Sequence, residues 1–236
     1  MRVLMICLVC LMLVTGQAVA EEKKQAELTT DIQKLSYALG LDIGSYFKTL
    51  GQDLDLELIN NGMMDSYKGN KPLLTQEETA KIQQQFAQKQ QEKQIQETVE
   101  MIAKNNKAAE DFLKENGTKE GIVTTESGLQ YKVLTPADGA KPKAEDTVKV
   151  HYKGTLLDGT EFDSSYARNE PAVFPLNQVI PGWTEAVQLM NVGSKIQLFL
   201  PPNMAYGDRG APPVIEPGSM LIFEVELLGI ETAAAK

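Results

Sequence analysis

The sequence predicts an α+β protein in two parts: an all-helical N-terminal half, and a C-terminal antiparallel sheet wrapped around one short helix. Three observations predict it. Apolar residues between Leu28 and Tyr67 recur at threes and fours, which is the helix period. Neither proline nor glycine occurs from Leu73 to Asn116, so no strong helix breaker falls there. From Leu129 onward, apolar and polar residues alternate in short runs, which is the strand period. A chain of 236 residues holds one large or two ordinary domains.

Residues 1–20 stand apart. Arg2 supplies a positive start, Val3 to Val14 is unbrokenly apolar, and Ala18-Val19-Ala20 precedes Glu21-Glu22. That is the layout of a cleaved secretory signal, with an apolar run too short to cross a bilayer. An uncleaved anchor is the less favoured alternative. Lipidation at Cys10 is disfavoured, because Val9 stands where a small residue is wanted. Cys7 and Cys10 are the only cysteines. The processed chain would therefore form no disulfide, thiolate nucleophile or cysteine-bound zinc site. A thiol-free exported protein suits an oxidising compartment.

A helical domain is expected over 21–70. Ile32, Leu35, Leu39, Ile43, Phe47 and Leu50 mark the apolar side of a first helix, which Gly51 stops. Leu54, Leu58, Ile59, Met63 and Tyr67 mark a second. About forty residues bury too little surface to stand alone, so the stripe needs another body, most economically a second copy of itself. Gly40 and Gly44 either allow close helix crossing or merely loosen the helix. Met63-Met64 is expected as adaptable packing.

A long connecting helix is expected over 71–117. Lys71-Pro72 breaks the chain, Thr75 with Glu78 forms a capping box, and Gly117 supplies a C-terminal cap. At 1.5 Å per residue such a helix is roughly 60 Å long. Its middle is rich in glutamine and lysine, with Ile82, Phe86, Ile95, Val99 and Ile102 as its apolar residues. A helix polar nearly all round bridges two bodies through solvent. No heptad is sustained, which argues against a full coiled coil. Low-complexity disorder is the competing reading, and the cap and uninterrupted helix formers favour helix.

The β-rich domain is expected over 118–236. Leu129 to Leu134 and Thr147 to Tyr152 alternate, and Leu157-Asp158-Gly159-Thr160 carries the aspartate–glycine hairpin signal. A short helix follows Pro181-Gly182, from Thr184 to Met190. Strands are expected at Lys195–Leu200 and Met220–Leu228.

Charge narrows the function. There are 23 basic against 32 acidic residues, a formal −9, and no basic stripe. Nucleic acid is not an expected partner, and anionic membranes are disfavoured. The chain has one histidine, so a metal or triad built on histidine pairs is excluded. Alternation turns His151 away from Tyr152, leaving it structural or solvent-facing. Glu185 and Lys195 are expected as solvated charges.

What remains is aromatic. Tyr152, Phe162-Asp163, Val179-Ile180-Pro181-Gly182-Trp183, Tyr206-Gly207 and Phe223 fall at turns and strands of this domain. The set can form a dry, aromatic-walled slot with a few polar handles, which suits a proline ring. The competing reading is that these aromatics are simply core, with Tyr152 and Phe162 a cross-strand pair. Spacing alone leaves the two about even.

Ordered motifs tip the balance. Ser127-Gly128-Leu129-Gln130-Tyr131, Val150-His151-Tyr152-Lys153-Gly154, Asp158 through Ser165, Val179 through Trp183, Ala205-Tyr206-Gly207 and Leu221 through Leu227 together resemble the FK506-binding protein (FKBP) family of peptidyl-prolyl isomerases. Signal, helical domain, long helix and isomerase domain in that order are similar to its Mip/FkpA group of exported bacterial proteins. The resemblance implies a sheet of five or six strands around the short helix, with the pocket between them. It implies Trp183 as floor and Tyr152, Phe162, Phe174, Val179, Ile180, Tyr206 and Phe223 as walls, with Asp163 at the rim and Ile215 contributed by the 208–215 flap. It further implies that the Ile180 N–H and Tyr206 hydroxyl hold substrate carbonyls, and that Asp163 steers Tyr152 and pairs with Arg168. Tyr152, Asp163 and Tyr206 would be the catalytic set, and the other wall residues would bind substrate.

By the same resemblance the expected partners are proline-containing polypeptides, FK506- or rapamycin-type inhibitors and a second copy through the N-terminal helices. No cofactor or metal is expected. The expected location is the periplasm, outer membrane or surface of a Gram-negative cell. The leading expectation is an isomerase assisting folding there. The alternative is a holdase chaperone or surface-binding protein in which isomerisation is secondary, and a purely structural spacer ranks last.

Overall fold

The computed structural model describes residues 27–231. The signal-like segment 1–20 lies outside the described residues. The chain divides between Thr75 and Gln76 into two compact units.

The first unit contributes two helices, α1 (Asp31–Thr49) and α2 (Leu56–Lys68). Each begins at a side chain that satisfies the free amides of a first turn. Thr30 accepts from the Gln33 N–H at 3.3 Å, and Gln33 answers by accepting from the Thr30 N–H at 3.0 Å. Asp55 accepts from the Glu57 and Leu58 N–H groups, both at 3.0 Å. Neither helix buries a residue. Ile32, Leu35, Leu39 and Leu58 are all more than half exposed, although their spacing is that of a core-facing stripe.

The second unit begins with α3 (Gln76–Asn116), directly after the expected cap Thr75. Ile82, Ile95 and Val99 are exposed along it. Only its last turns pack on the sheet. Ala109, Phe112 and Leu113 meet Ile122, Phe199, Met220 and Ile222, with the Phe112 and Phe199 rings 5.7 Å apart. A buried clasp fixes the helix end. The Asn116 amide donates to Gln130 Oε1 at 3.0 Å, and the Gln130 amide donates to the Leu113 carbonyl at 2.8 Å. Gly117 ends the helix as expected but for another reason. Its backbone is not left-handed; a Cβ there would lie 2.9 Å from the Gln130 amide nitrogen. The position needs room for the clasp.

Seven strands form one sheet: β1 (Ile122–Thr124), β2 (Gln130–Thr135), β3 (Thr147–Thr155), β4 (Glu161–Ser164), β5 (Ala172–Pro175), β6 (Lys195–Leu200) and β7 (Leu221–Glu231). The order is β1-β2-β6-β7-β3-β4, with β5 also on β3, and every pairing is antiparallel. The count exceeds the expected five or six because one edge of β3 is shared. Val148 and Lys149 pair with β5, whereas Lys153 and Gly154 pair with β4. The β3–β4 turn is the expected hairpin. Gly159 has φ +89°, and Asp158 Oδ1 accepts from the Thr160 N–H at 2.9 Å.

The short helix α4 (Pro181–Leu189) buries Trp183, Ala186 and Val187 in a core shared with Val148, Val150, Leu198, Leu200, Val225 and Leu227. Proline at its first turn suits a position whose N–H has no helical partner. A Cβ on Gly182 would stand 2.6 Å from Leu200, so glycine lets α4 seat on β6.

Candidate active site

Between α4 and the sheet lies a cavity of about 360 Å³. It is lined by Tyr152 of β3, Phe162 and Asp163 of β4, Phe174 of β5, the Gln178–Val179–Ile180 turn, Trp183 of α4, Tyr206, and Phe223 of β7. Ile215 stands apart from this lining. It is only 5% exposed and is turned into the core by reciprocal backbone bonds with Ala211, at 2.8 and 3.1 Å. Gln178 lines the cavity and was not anticipated, since a lone polar residue in a turn carries no pattern.

The walls are set by aromatic edges meeting faces. Trp183 is close to perpendicular to Tyr152 (5.2 Å, 90°), Phe223 (5.4 Å, 84°) and Phe174 (5.8 Å, 87°). Phe162 meets Phe223 in the same manner at 5.5 Å. This is the arrangement aromatic quadrupoles favour. Gly154, opposite Phe223 in the β3–β7 ladder, makes the space. A Cβ there would fall 2.6 Å from Phe162 and 2.8 Å from Phe223.

The polar groups lie at the edge. The Tyr152 hydroxyl donates to one Asp163 carboxylate oxygen and the Arg168 guanidinium donates to the other. Arg168 also donates to the Tyr152 hydroxyl at 2.9 Å and lies 5.7 Å from the centre of that ring. Burial pushes the Asp163 carboxyl up, but the Tyr152 hydroxyl and the Arg168 guanidinium together outweigh it, and the group sits below its ordinary value. Burial, then the Asp163 bond, raises the Tyr152 phenol. Asp163 is thus ionised and fully engaged at neutral pH, and Tyr152 is protonated. Ile180 precedes the first turn of α4 in extended conformation, so its N–H lies outside the helical ladder. Tyr206 is 42% exposed at the mouth.

Tyr152 is held from behind. Its N–H donates to Ser165 Oγ at 2.8 Å, and its carbonyl accepts from the Ser165 N–H at 3.0 Å. His151, pointing the other way, pairs with the same hydroxyl at 2.9 Å and stacks on Tyr166 at 4.6 Å. Burial, reinforced by Glu226, pushes the Tyr166 phenol up to about 12. The two expected surface charges have partners here: Lys195 pairs with Glu224 at 3.0 Å, and Glu185 accepts from Ser127 at 2.9 Å. Among the described residues, no group of three or more His, Cys, Asp or Glu side chains is placed to hold a metal ion.

Comparison with known proteins gives a consistent result. Residues 138–228 match the family model for FKBP-type peptidyl-prolyl cis-trans isomerase. Residues 32–133 match the model for the domain amino terminal to FKBP-type peptidyl-prolyl isomerase. The chain is similar to the FKBP-type peptidyl-prolyl cis-trans isomerase FkpA of Aeromonas hydrophila, 48% identical over 221 residues, covering 91% of this chain and 82% of that one. It is 42% identical over 207 residues to the outer membrane protein MIP of Legionella longbeachae, covering 88% of this chain and 89% of that one. Among solved structures, FkpA from Escherichia coli superposes with a TM-score of 0.73 at 37% identity, covering 88% of this chain and all of that one.

Proposed function

This chain belongs to the family of FKBP-type peptidyl-prolyl cis-trans isomerases, in its FkpA/Mip branch, and from that premise we propose that the aromatic cavity binds the proline of exported polypeptides and lowers the barrier to rotating the preceding peptide bond. The observation that carries this reading is the cavity ringing Trp183, with its polar groups confined to the edge.

Rotation costs ~18–20 kcal/mol uncatalysed because amide resonance is lost. No bond forms or breaks, so neither nucleophile nor base is needed. The planar amide carries more charge separation than the twisted one. Dry aromatic walls therefore penalise the ground state more than the transition state, and contacts that fit only the twisted form add to the difference. Each tenfold in rate takes about 1.4 kcal/mol. Trp183 forms the floor under the ring, and Tyr152, Phe162, Phe174, Val179 and Phe223 form the walls. The Ile180 N–H and Tyr206 hydroxyl hold the flanking carbonyls. Asp163 acts as a fixed carboxylate that orients Tyr152. Its two engaged oxygens and lowered pKa suit that part and not proton abstraction. FK506- and rapamycin-type molecules would occupy the same cavity.

In this reading the protein works outside the cytoplasm, in the periplasm or at the outer membrane. The signal-like residues 1–20 and the name of the Legionella relative support that location. Residues 21–70 form a homodimer, for which the unburied apolar faces of α1 and α2 are the support. Residues 71–117 connect to the isomerase domain over 118–236. A second reading, holdase or surface binding with incidental isomerisation, is favoured by the exposed Ile82, Ile95 and Val99 of α3.

A protease-coupled prolyl isomerisation assay tests the first reading. Asp163→Ala and Tyr206→Phe should each slow a short proline peptide with the fold intact by circular dichroism, and an FK506-type inhibitor should block the parent chain. Unchanged rates in both variants would reject the assigned residues. Undiminished suppression of client aggregation by the inhibited protein would favour the holdase reading.

A further inference from the structure

The loop over 201–220 carries Tyr206 to the cavity, yet its base rests on α3. The Asn105 amide, on that helix, donates to the Pro217 carbonyl at 2.9 Å and lies 3.3 Å from Glu216 Oε2. Next to Pro217, Gly218 lies directly on the helix backbone. A Cβ there would be 3.0 Å from the Ile102 carbonyl oxygen and 3.5 Å from the Asn105 Cβ. Its φ of +75° is left-handed, so glycine is demanded on both counts. The Gly218 N–H then donates to the Gly207 carbonyl at 3.0 Å, one residue from Tyr206. The linkage is continuous: Asn105 amide, Pro217 carbonyl, Gly218 amide, Gly207 carbonyl, Tyr206. Tyr206 is 42% exposed, so its placement depends on the backbone beneath it.

We propose that α3 is part of the isomerase site's support, with Asn105 as a positioning residue that acts on the reaction through Tyr206. The inference rests on the role proposed above for the Tyr206 hydroxyl. Asn105 touches no cavity-lining residue in this linkage; it fixes the carbonyl from which the loop is hung. The long helix is then more than a spacer, because its docked end decides where the mouth of the cavity holds a substrate carbonyl. Movement of the helix end would reach the site by the same route.

A double-mutant cycle in the full chain tests this, with kcat/KM measured on a short proline peptide. Asn105→Ala, and the isosteric Asn105→Asp that cannot donate to Pro217, should each lose about three- to tenfold, the scale of one positioned hydrogen bond. In a Tyr206→Phe background the same changes should lose nothing further. Non-additivity of that kind is expected of coupled residues and not of independent destabilisation. Thermal unfolding of each variant, with Asn105→Asp preserving side-chain volume, separates positioning from misfolding. Slowing by Tyr206→Phe with Asn105→Asp at full rate, or losses that multiply, would overturn the inference alone. A Tyr206→Phe chain at full rate would refute the role of the hydroxyl and the inference with it.

Discussion

The two units of this chain carry equally regular apolar patterning and use it in opposite ways. In the sheet domain the pattern closes on itself: Val148, Val150, Leu198, Leu200, Val225 and Leu227 are completely buried. Among the described residues, α1 and α2 bury none, and Leu35, Leu39 and Leu58 remain more than half exposed. The same hydrophobic driving force therefore yields intrinsic stability in one unit and leaves apolar surface in the other that the homodimer proposed above would bury. The stability of the sheet domain should be a property of one molecule, and that of the helical unit should depend on concentration.

The sharpest way to break this contrast is to make matching truncations. Leu198→Ala should cost the sheet domain about 2–5 kcal/mol in denaturant titration, at every protein concentration. Leu39→Ala at high dilution should change helical stability by less than about 0.5 kcal/mol, with a cost emerging only as concentration rises. Equal, concentration-independent losses would erase the distinction. A charge on the helical face asks the question more directly. Ile43→Asp should convert a sedimenting dimer to monomer at micromolar concentration, while isomerisation of a short peptide per chain stays unchanged. A parent chain that sediments as a monomer there would remove the need for a partner.

These contrasts also mark what was legible in the sequence. The helical stripe was visible because apolar spacing needs no tertiary context. The starts of α1 and α2 were not, because the caps Thr30 and Asp55 are short polar residues among many. The aromatic set was spread from Tyr152 to Phe223, and spacing could not decide between core and slot. The structure makes that choice a false one: Tyr152, Trp183 and Phe223 are only 5%, 4% and 4% exposed and still line the cavity. Ordered motifs, and not periodicity, pointed to them. Gln178 and Asn105 carried no signal, one in a turn and the other among the polar residues of α3. Gly117 was placed correctly on the wrong argument, since close approach leaves the same residue in the sequence as left-handed geometry does.

The smallest expected effect concerns charge at the cavity edge, where the sheet domain again supplies its own partners. The carboxyl of Asp163 is lowered in the folded protein. Its contribution is therefore complete above the ordinary carboxylate value of about 3.9 and is lost as pH falls through the lower folded value. Arg168→Ala removes one of the two groups that hold it down and leaves burial pushing it up. The acid limb of the rate–pH profile should then move upward, with only a severalfold change in rate at pH 7. An unmoved limb would detach Arg168 from the ionisation of Asp163.

Trp183 is the only tryptophan in the chain, and it sits on the cavity floor against three aromatic rings. Ultraviolet emission selected for indole is consequently a label-free optical probe of that one location. Quenching or a spectral shift on titration gives occupancy directly, uncomplicated by signal from the helical unit, and time-resolved decay distinguishes an empty pocket from a filled one in the unmodified protein.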